Sequence, residues 1–188
     1  MLIDRTAAVS IALAATVVLA APARPQDMQS GPPKGKEVPA LKVFDATGPH
    51  MGKEVDYASE RKGKPTIYVL IQADKWDRPM ARFLKELEKD VQKEGADAAI
   101  VAVWLTEDAD KTKDYLPRAQ QSLQFQRVTL TCYAGVAGPK GWDVNADAHL
   151  TAVVVAKGRV ATTFGYQSIN ETNAPEVCEA LRKAGKAK

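Results

Sequence analysis

The 188-residue sequence predicts an α/β domain with a mixed central sheet: parallel crossovers, then a C-terminal β-hairpin and a closing helix. Three observations carry this expectation. Thr66–Ile71 and Ala98–Leu105 are almost wholly apolar runs rich in β-branched types, the pattern of strands buried on both faces. Between them, Met80, Phe83, Leu84, Leu87 and Val91 form one helical stripe, with Lys85, Glu86, Glu88, Lys89 and Asp90 on the opposite face. Strand, helix and strand in that order make a right-handed parallel crossover. Finally, Leu150–Ala156 and Val160–Phe164 flank Lys157-Gly158-Arg159, the signature of a hairpin.

The remaining elements follow in chain order. Thr6 to Ala21 is a sixteen-residue uncharged run, and Ala21-Pro22-Ala23 fits the small-x-small cleavage rule, which reads as a secretory signal peptide over residues 1–23. It falls short of the ~20 apolar residues of a spanning helix, so no stable membrane insertion is expected after cleavage. Residues 24–37 are rich in Pro, Gly, Lys and Gln without apolar period, and predict a flexible leader. The domain then spans 38–188. Leu41–Phe44 and Val55–Tyr57 are short extended pieces. Asp110–Ser122 predicts a second, more polar helix with Pro117 as a break or late start. Arg127–Tyr133 alternates like a strand, and 134–147 is a glycine-rich loop. Asn173-Ala-Pro-Glu176 starts the last helix, whose core-facing residues are Val177, Cys178 and Leu181.

Composition narrows function by exclusion. Net charge is +3 with interleaved signs, and aromatic residues make up 6%, which does not describe a nucleic-acid-binding surface. Two histidines and two cysteines supply neither a zinc array nor a disulfide framework. Gly135–Gly141 lacks the G-K-[ST] of a phosphate cradle. Asp74, Asp77 and Asp147 lack the spacing of a calcium loop. His50 and His149 read as loop histidines. Asn170-Glu-Thr172 fits a glycosylation sequon, meaningful only in a eukaryotic secretory pathway.

The element order, together with Val38-Pro39-Ala40-Leu41-Lys42-Val43, Gly63-Lys64-Pro65-Thr66, Trp76-Asp77-Arg78-Pro79-Met80 and the Lys157-Gly158-Arg159-Val160 turn with Gly165, resembles the thioredoxin-like fold in its extracytoplasmic redoxin form. The resemblance covers roughly residues 38 to 185 and implies a three-layer sandwich. It also implies that Trp76–Met80 stands where the family carries W-C-x-P-C. Asp77 then replaces the attacking cysteine and Met80 the resolving one. The buried acid of classical thioredoxins falls near Ile71, and the cis-proline position falls on Leu150, where a trans bond is expected. An attacking sulfur must be a low-pKa thiolate at a helix N-terminus. A carboxylate at residue 77 can supply the charge and cap the helix, but cannot form a disulfide. A peroxiredoxin cysteine is equally missing, since no cysteine precedes Cys132.

These departures imply no catalytic residues, no cofactor and no metal centre. They point to a binding or scaffolding module using a vestigial surface of Trp76, Asp77, Arg78, Pro79, Met80 and Leu150, with Trp142 as a further flanking aromatic. The expected partner is another exported protein or peptide, with secreted or periplasmic location. The alternative is an atypical thiol-disulfide oxidoreductase or antioxidant protein using Cys132 or Cys178. Those two cysteines either pair as a disulfide or remain two buried, unpaired thiols.

Overall fold

A computed structural model describes residues 28–186. The expected signal peptide and the first residues of the expected leader lie outside these. Seven strands form one sheet: β1 (Lys42–Asp45), β2 (Glu54–Asp56), β3 (Thr66–Gln72), β4 (Ala99–Thr106), β5 (Val128–Ala134), β6 (Leu150–Ala156) and β7 (Arg159–Tyr166). Their order is β2-β1-β5-β4-β3-β6-β7. The helices are α1 (Tyr57–Glu60), α2 (Arg78–Lys93), α3 (Ala109–Leu123) and α4 (Ala174–Lys186).

Strands β3, β4 and β5 run parallel, with Ile67 opposite Ile100 and Ala102 opposite Leu130. The two crossovers step in the same direction across the sheet, so right-handedness sends α2 and α3 to the same face. Helix α4 joins them there. Ile67, Val69 and Ile71 of β3 meet this helical layer, with Phe83, Leu87, Leu116, Val177 and Leu181 in the same core. The alternate residues Tyr68 and Leu70 face a second core with Leu41, Tyr57 and Trp142. The period-2 alternation of a strand thus feeds two cores. The third layer is supplied by α1, the chain before β1 and the loop of residues 135–147. Strand β6 pairs antiparallel with β3 and β7, which completes the predicted hairpin.

Three expectations need correction. The described part of the leader is not a free chain. Gly35 N–H donates to Val160 O, and Val160 N–H donates to Lys36 O. Met28 and Glu37 bridge the outer edge of β7 at Gly165 and Arg159. Ser30, only 1% exposed, shares a 2.6 Å hydrogen bond with Thr151. A Cβ at Gly165 would lie 2.5 Å from Met28 O, so the close approach of this strap needs a glycine there. Backbone pairing, which has no hydrophobic period, holds the strap. Tyr57 begins a helical turn instead of extending β2, because the Asp56 carboxylate caps it through Ala58 and Ser59 N–H. Pro117 sits inside α3, which runs unbroken past it. Buried Leu116 and Ala119 anchor the helix on either side of the exposed ring.

Candidate functional site

Strand β3 ends at Gln72, and a single 3₁₀ turn (Ala73–Lys75) leads to Trp76. Asp77 is extended and forms the N-cap of α2. Its Oδ1 accepts the Met80 N–H at 2.9 Å. Pro79 occupies the first turn, where its missing N–H costs nothing. The segment therefore stops being a strand and becomes a helix at the carboxyl ends of the parallel strands, where open α/β sheets bind ligands.

The six predicted surface residues divide. Asp77 and Arg78 are exposed, and Trp76 and Pro79 are half-buried. Met80 and Leu150 are corrected from the surface to the core: they are 2% and 0% exposed and pack beneath α2 and α4. The stripe that makes α2 amphipathic starts at Met80, so its side chain points inward. Leu150 begins a strand buried along its whole length. No cis peptide occurs among the described residues.

Trp76 is the centre of the site. Its Nε1–H donates to the Tyr115 hydroxyl of α3 at 2.8 Å. Its ring meets Trp104 of β4 edge to face at 4.9 Å. Trp104 is 2% exposed, and its own Nε1–H has no partner among the described residues. Beside this aromatic group opens a cleft of about 1130 Å³, bounded by the ends of β3 and β4, the start of α3 and the loop before β6. Gln72 fixes that loop by donating to Val136 O at 2.9 Å. Tyr115 and Val136, 38% and 44% exposed, stand on the cleft's walls. The Lys75 ammonium, 2.8 Å from Asp74, holds the Asp74 carboxyl below the usual range. His149 lines the cleft half-buried. His50 lies elsewhere, 3.3 Å from Glu60. Among the described residues, no three His, Cys, Asp or Glu side chains gather as a metal site.

Trp142 does not flank this site. It is fully buried in the opposite core, edge-on to Tyr68, with its indole N–H donated to Ala40 O. Nor do the cysteines pair. Cys132 on β5 and Cys178 on α4 are both buried and free. Helix α4 packs over β6 and β7, and β5 lies three strands from β6, roughly 14 Å away at normal spacing. A disulfide spans far less. Burial raises both thiols, Cys178 to about 11. Tyr115, which sequence reading missed, gave no signal because its partner Trp76 is on another element.

The sheet order and this strand-to-helix junction are those of the thioredoxin-like fold. No protein-family model and no curated protein matches the sequence. Solved structures do match. A candidate thiol:disulfide interchange protein DsbE from Chlorobium tepidum superimposes with a TM-score of 0.60 at 16% identity, over 81% of this chain and 97% of that one. BsSco, a member of the Sco family of cytochrome c oxidase assembly proteins, gives 0.59 at 16% identity, over 85% of this chain and 100% of its own. Peroxidoxin BcpB from Mycobacterium tuberculosis gives 0.56 at 16% identity, over 83% and 97%. The chain has the fold that these proteins share.

Proposed function

We propose that the chain is a non-catalytic thioredoxin-fold binding module that works outside the cytoplasm. It engages another exported protein or peptide through Trp76, Asp77, Arg78 and Pro79 and the adjoining cleft. One observation carries this reading. The Asp77 carboxylate, bonded to the Met80 N–H, occupies the helix terminus where dithiol exchange needs a thiolate. Export is supported by the apolar, uncharged run that ends at Ala21-Pro22-Ala23. The alternative, chemistry at Cys132 or Cys178, has the fold of its neighbours in its favour. Against it stand the burial of both thiols and pKa values raised away from neutrality.

The test is insulin reduction and hydroperoxide consumption by the purified protein, with Cys132→Ser and Cys178→Ser beside it. No rate above background is expected from any of the three. Turnover that disappears with either serine would establish the thiol enzyme and remove the binding module. Cross-linking in the exported fraction examines the surface. A partner captured equally by wild type and Trp76→Ala would place binding elsewhere.

A further inference from the structure

A second groove, of about 610 Å³, runs on the other side of the Trp76–Tyr115 hydrogen bond, between the first turn of α2 and the C-terminal half of α3. Ala81, Ala119 and Leu123 line it with apolar surface, and Trp76 and Tyr115 wall one end. Arg78 and Arg118 stand over it from the two helices. Both are exposed, and neither has a carboxylate within ion-pair distance among the described residues. The Arg118 Nε–H is spent on Asp114 O, one turn back, which leaves its terminal nitrogens available. Asp77, the acidic group of the groove, already has an oxygen committed to the Met80 N–H. Asp74 is neutralised by Lys75.

We propose that this groove is a docking track for an extended acidic segment of a partner protein. One carboxylate would lie between Arg78 and Arg118, and a neighbouring apolar side chain would pack on Trp76 and Tyr115. The proposal rests on the binding-module reading and gives it a partner chemistry. Charge complementarity decides the occupant. Arg78, in the first turn of the 16-residue α2, adds its charge to the positive end of that helix, and with Arg118 across the groove it favours carboxylates in a bidentate fork and repels a basic segment. The apolar lining demands that the acidic residues be interleaved with apolar ones. The competing route, strand addition at β7, is obstructed because the Met28–Glu37 strap already bridges that edge.

Fluorescence anisotropy of the full chain with a labelled nonapeptide of alternating glutamate and leucine tests this. Its lysine–leucine counterpart serves as the opposite-charge probe. Saturable binding of the acidic peptide is expected, at least roughly tenfold tighter than the lysine peptide. Arg78→Glu/Arg118→Glu is expected to weaken it about tenfold or more. Lys34→Glu/Lys36→Glu makes the same change of net charge on exposed positions beside the β6–β7 turn, at the amino end of β3 and so at the opposite end of that strand from Trp76, and is expected to leave binding unchanged. Circular dichroism confirms that each variant folds. Failure to bind at about 1 mM peptide, equal binding of both peptides, or equal loss in both double variants would each overturn the proposal. Sedimentation velocity adds one more outcome: a dimer broken by Arg78→Glu/Arg118→Glu would assign the groove to a second copy and overturn the peptide docking. Insulin reduction separates the two readings. Turnover with intact peptide binding removes only the non-catalytic assignment, whereas silence in both assays removes only the groove.

Discussion

The β1–β2–α1 corner and the Trp76 edge handle a buried polar group in opposite ways. At the β1–β2–α1 corner, Asp45 is fully buried and saturated. It accepts from Thr47, Gly48 and His50 N–H and from the Tyr57 hydroxyl at 2.7 Å. Burial, aided by that bonded carboxylate, pushes the Tyr57 phenol far above its ordinary pKa. At the Trp76 edge, where β3 and β4 end, the buried Trp104 N–H has no partner among the described residues, and Tyr115 and Val136 are exposed. Satisfied polar groups mark where stability is stored. An unpartnered buried donor beside a cleft with exposed apolar walls marks where the molecule has left contacts to be made by something else, whereas a single exposed side chain such as Met51 on the β1–β2 turn does not. The proposed partner surface lies at the second kind of place.

Asp45→Ala is the strongest way to test the first half of that contrast. It would leave three backbone N–H groups and a phenol without their acceptor. A loss of about 3 kcal/mol in urea unfolding is expected, with β1 and β2 losing hydrogen-exchange protection first. Trp76→Ala at the other edge removes a half-buried ring and a single exposed hydrogen bond, and is expected to cost clearly less. The reverse ranking would erase the division into a storing corner and a contacting edge.

The thiols sharpen the same contrast. Alkylation of Cys132 and Cys178 at pH 8 is expected to be slower in the folded protein than in urea by a factor of ten or more, since neither is exposed and both are held protonated. Stability follows the same direction. Cys178 ionises at about 11 when folded and near ~8.5 when unfolded. Its contribution is therefore complete below pH ~8.5 and is lost as pH rises toward its folded value. The urea midpoint should fall more shallowly over that window in Cys178→Ala than in wild type. Placing a thiol at the exposed edge should invert the kinetics: the thiol of Asp77→Cys is expected to alkylate faster than either native one, because it would sit on an open helix terminus.

Much of the layout was legible in the sequence because burial writes itself as period. The runs of β3, β4 and β6 and the stripe from Met80 to Val91 appear within about a residue of their predicted bounds. What escaped has no period. The strap is held by backbone bonds and by Ser30 on Thr151, partners 121 residues apart. The site was legible to the extent that it follows the chain: Trp76 through Pro79 sit at the predicted helix start. Met80 and Leu150 were misread because a family position was taken as surface, while their own apolar neighbours placed them inside. Trp142 was misread for a related reason. An aromatic in a glycine-rich loop carries no sign of which face of the sheet it will meet.

The smallest effect concerns the residue on which the functional reading turns. Asp77 carries one capping bond, to Met80 N–H, on an exposed turn. Asp77→Ala is expected to lower stability by about 1 kcal/mol, the usual worth of an N-cap, and Asp77→Asn by much less, since an amide oxygen still accepts from Met80. If capping were all that Asp77 does, both variants would leave acidic-peptide binding unchanged. If its charge also shapes the groove, both variants should tighten that binding slightly by removing the carboxylate beside Arg78. Anisotropy of Asp77→Asn therefore separates a residue kept for the helix from one that also tunes the partner. Weaker binding in Asp77→Asn would mean that Asp77 itself contacts the ligand, and would move the docking track from the α2–α3 groove onto the helix tip.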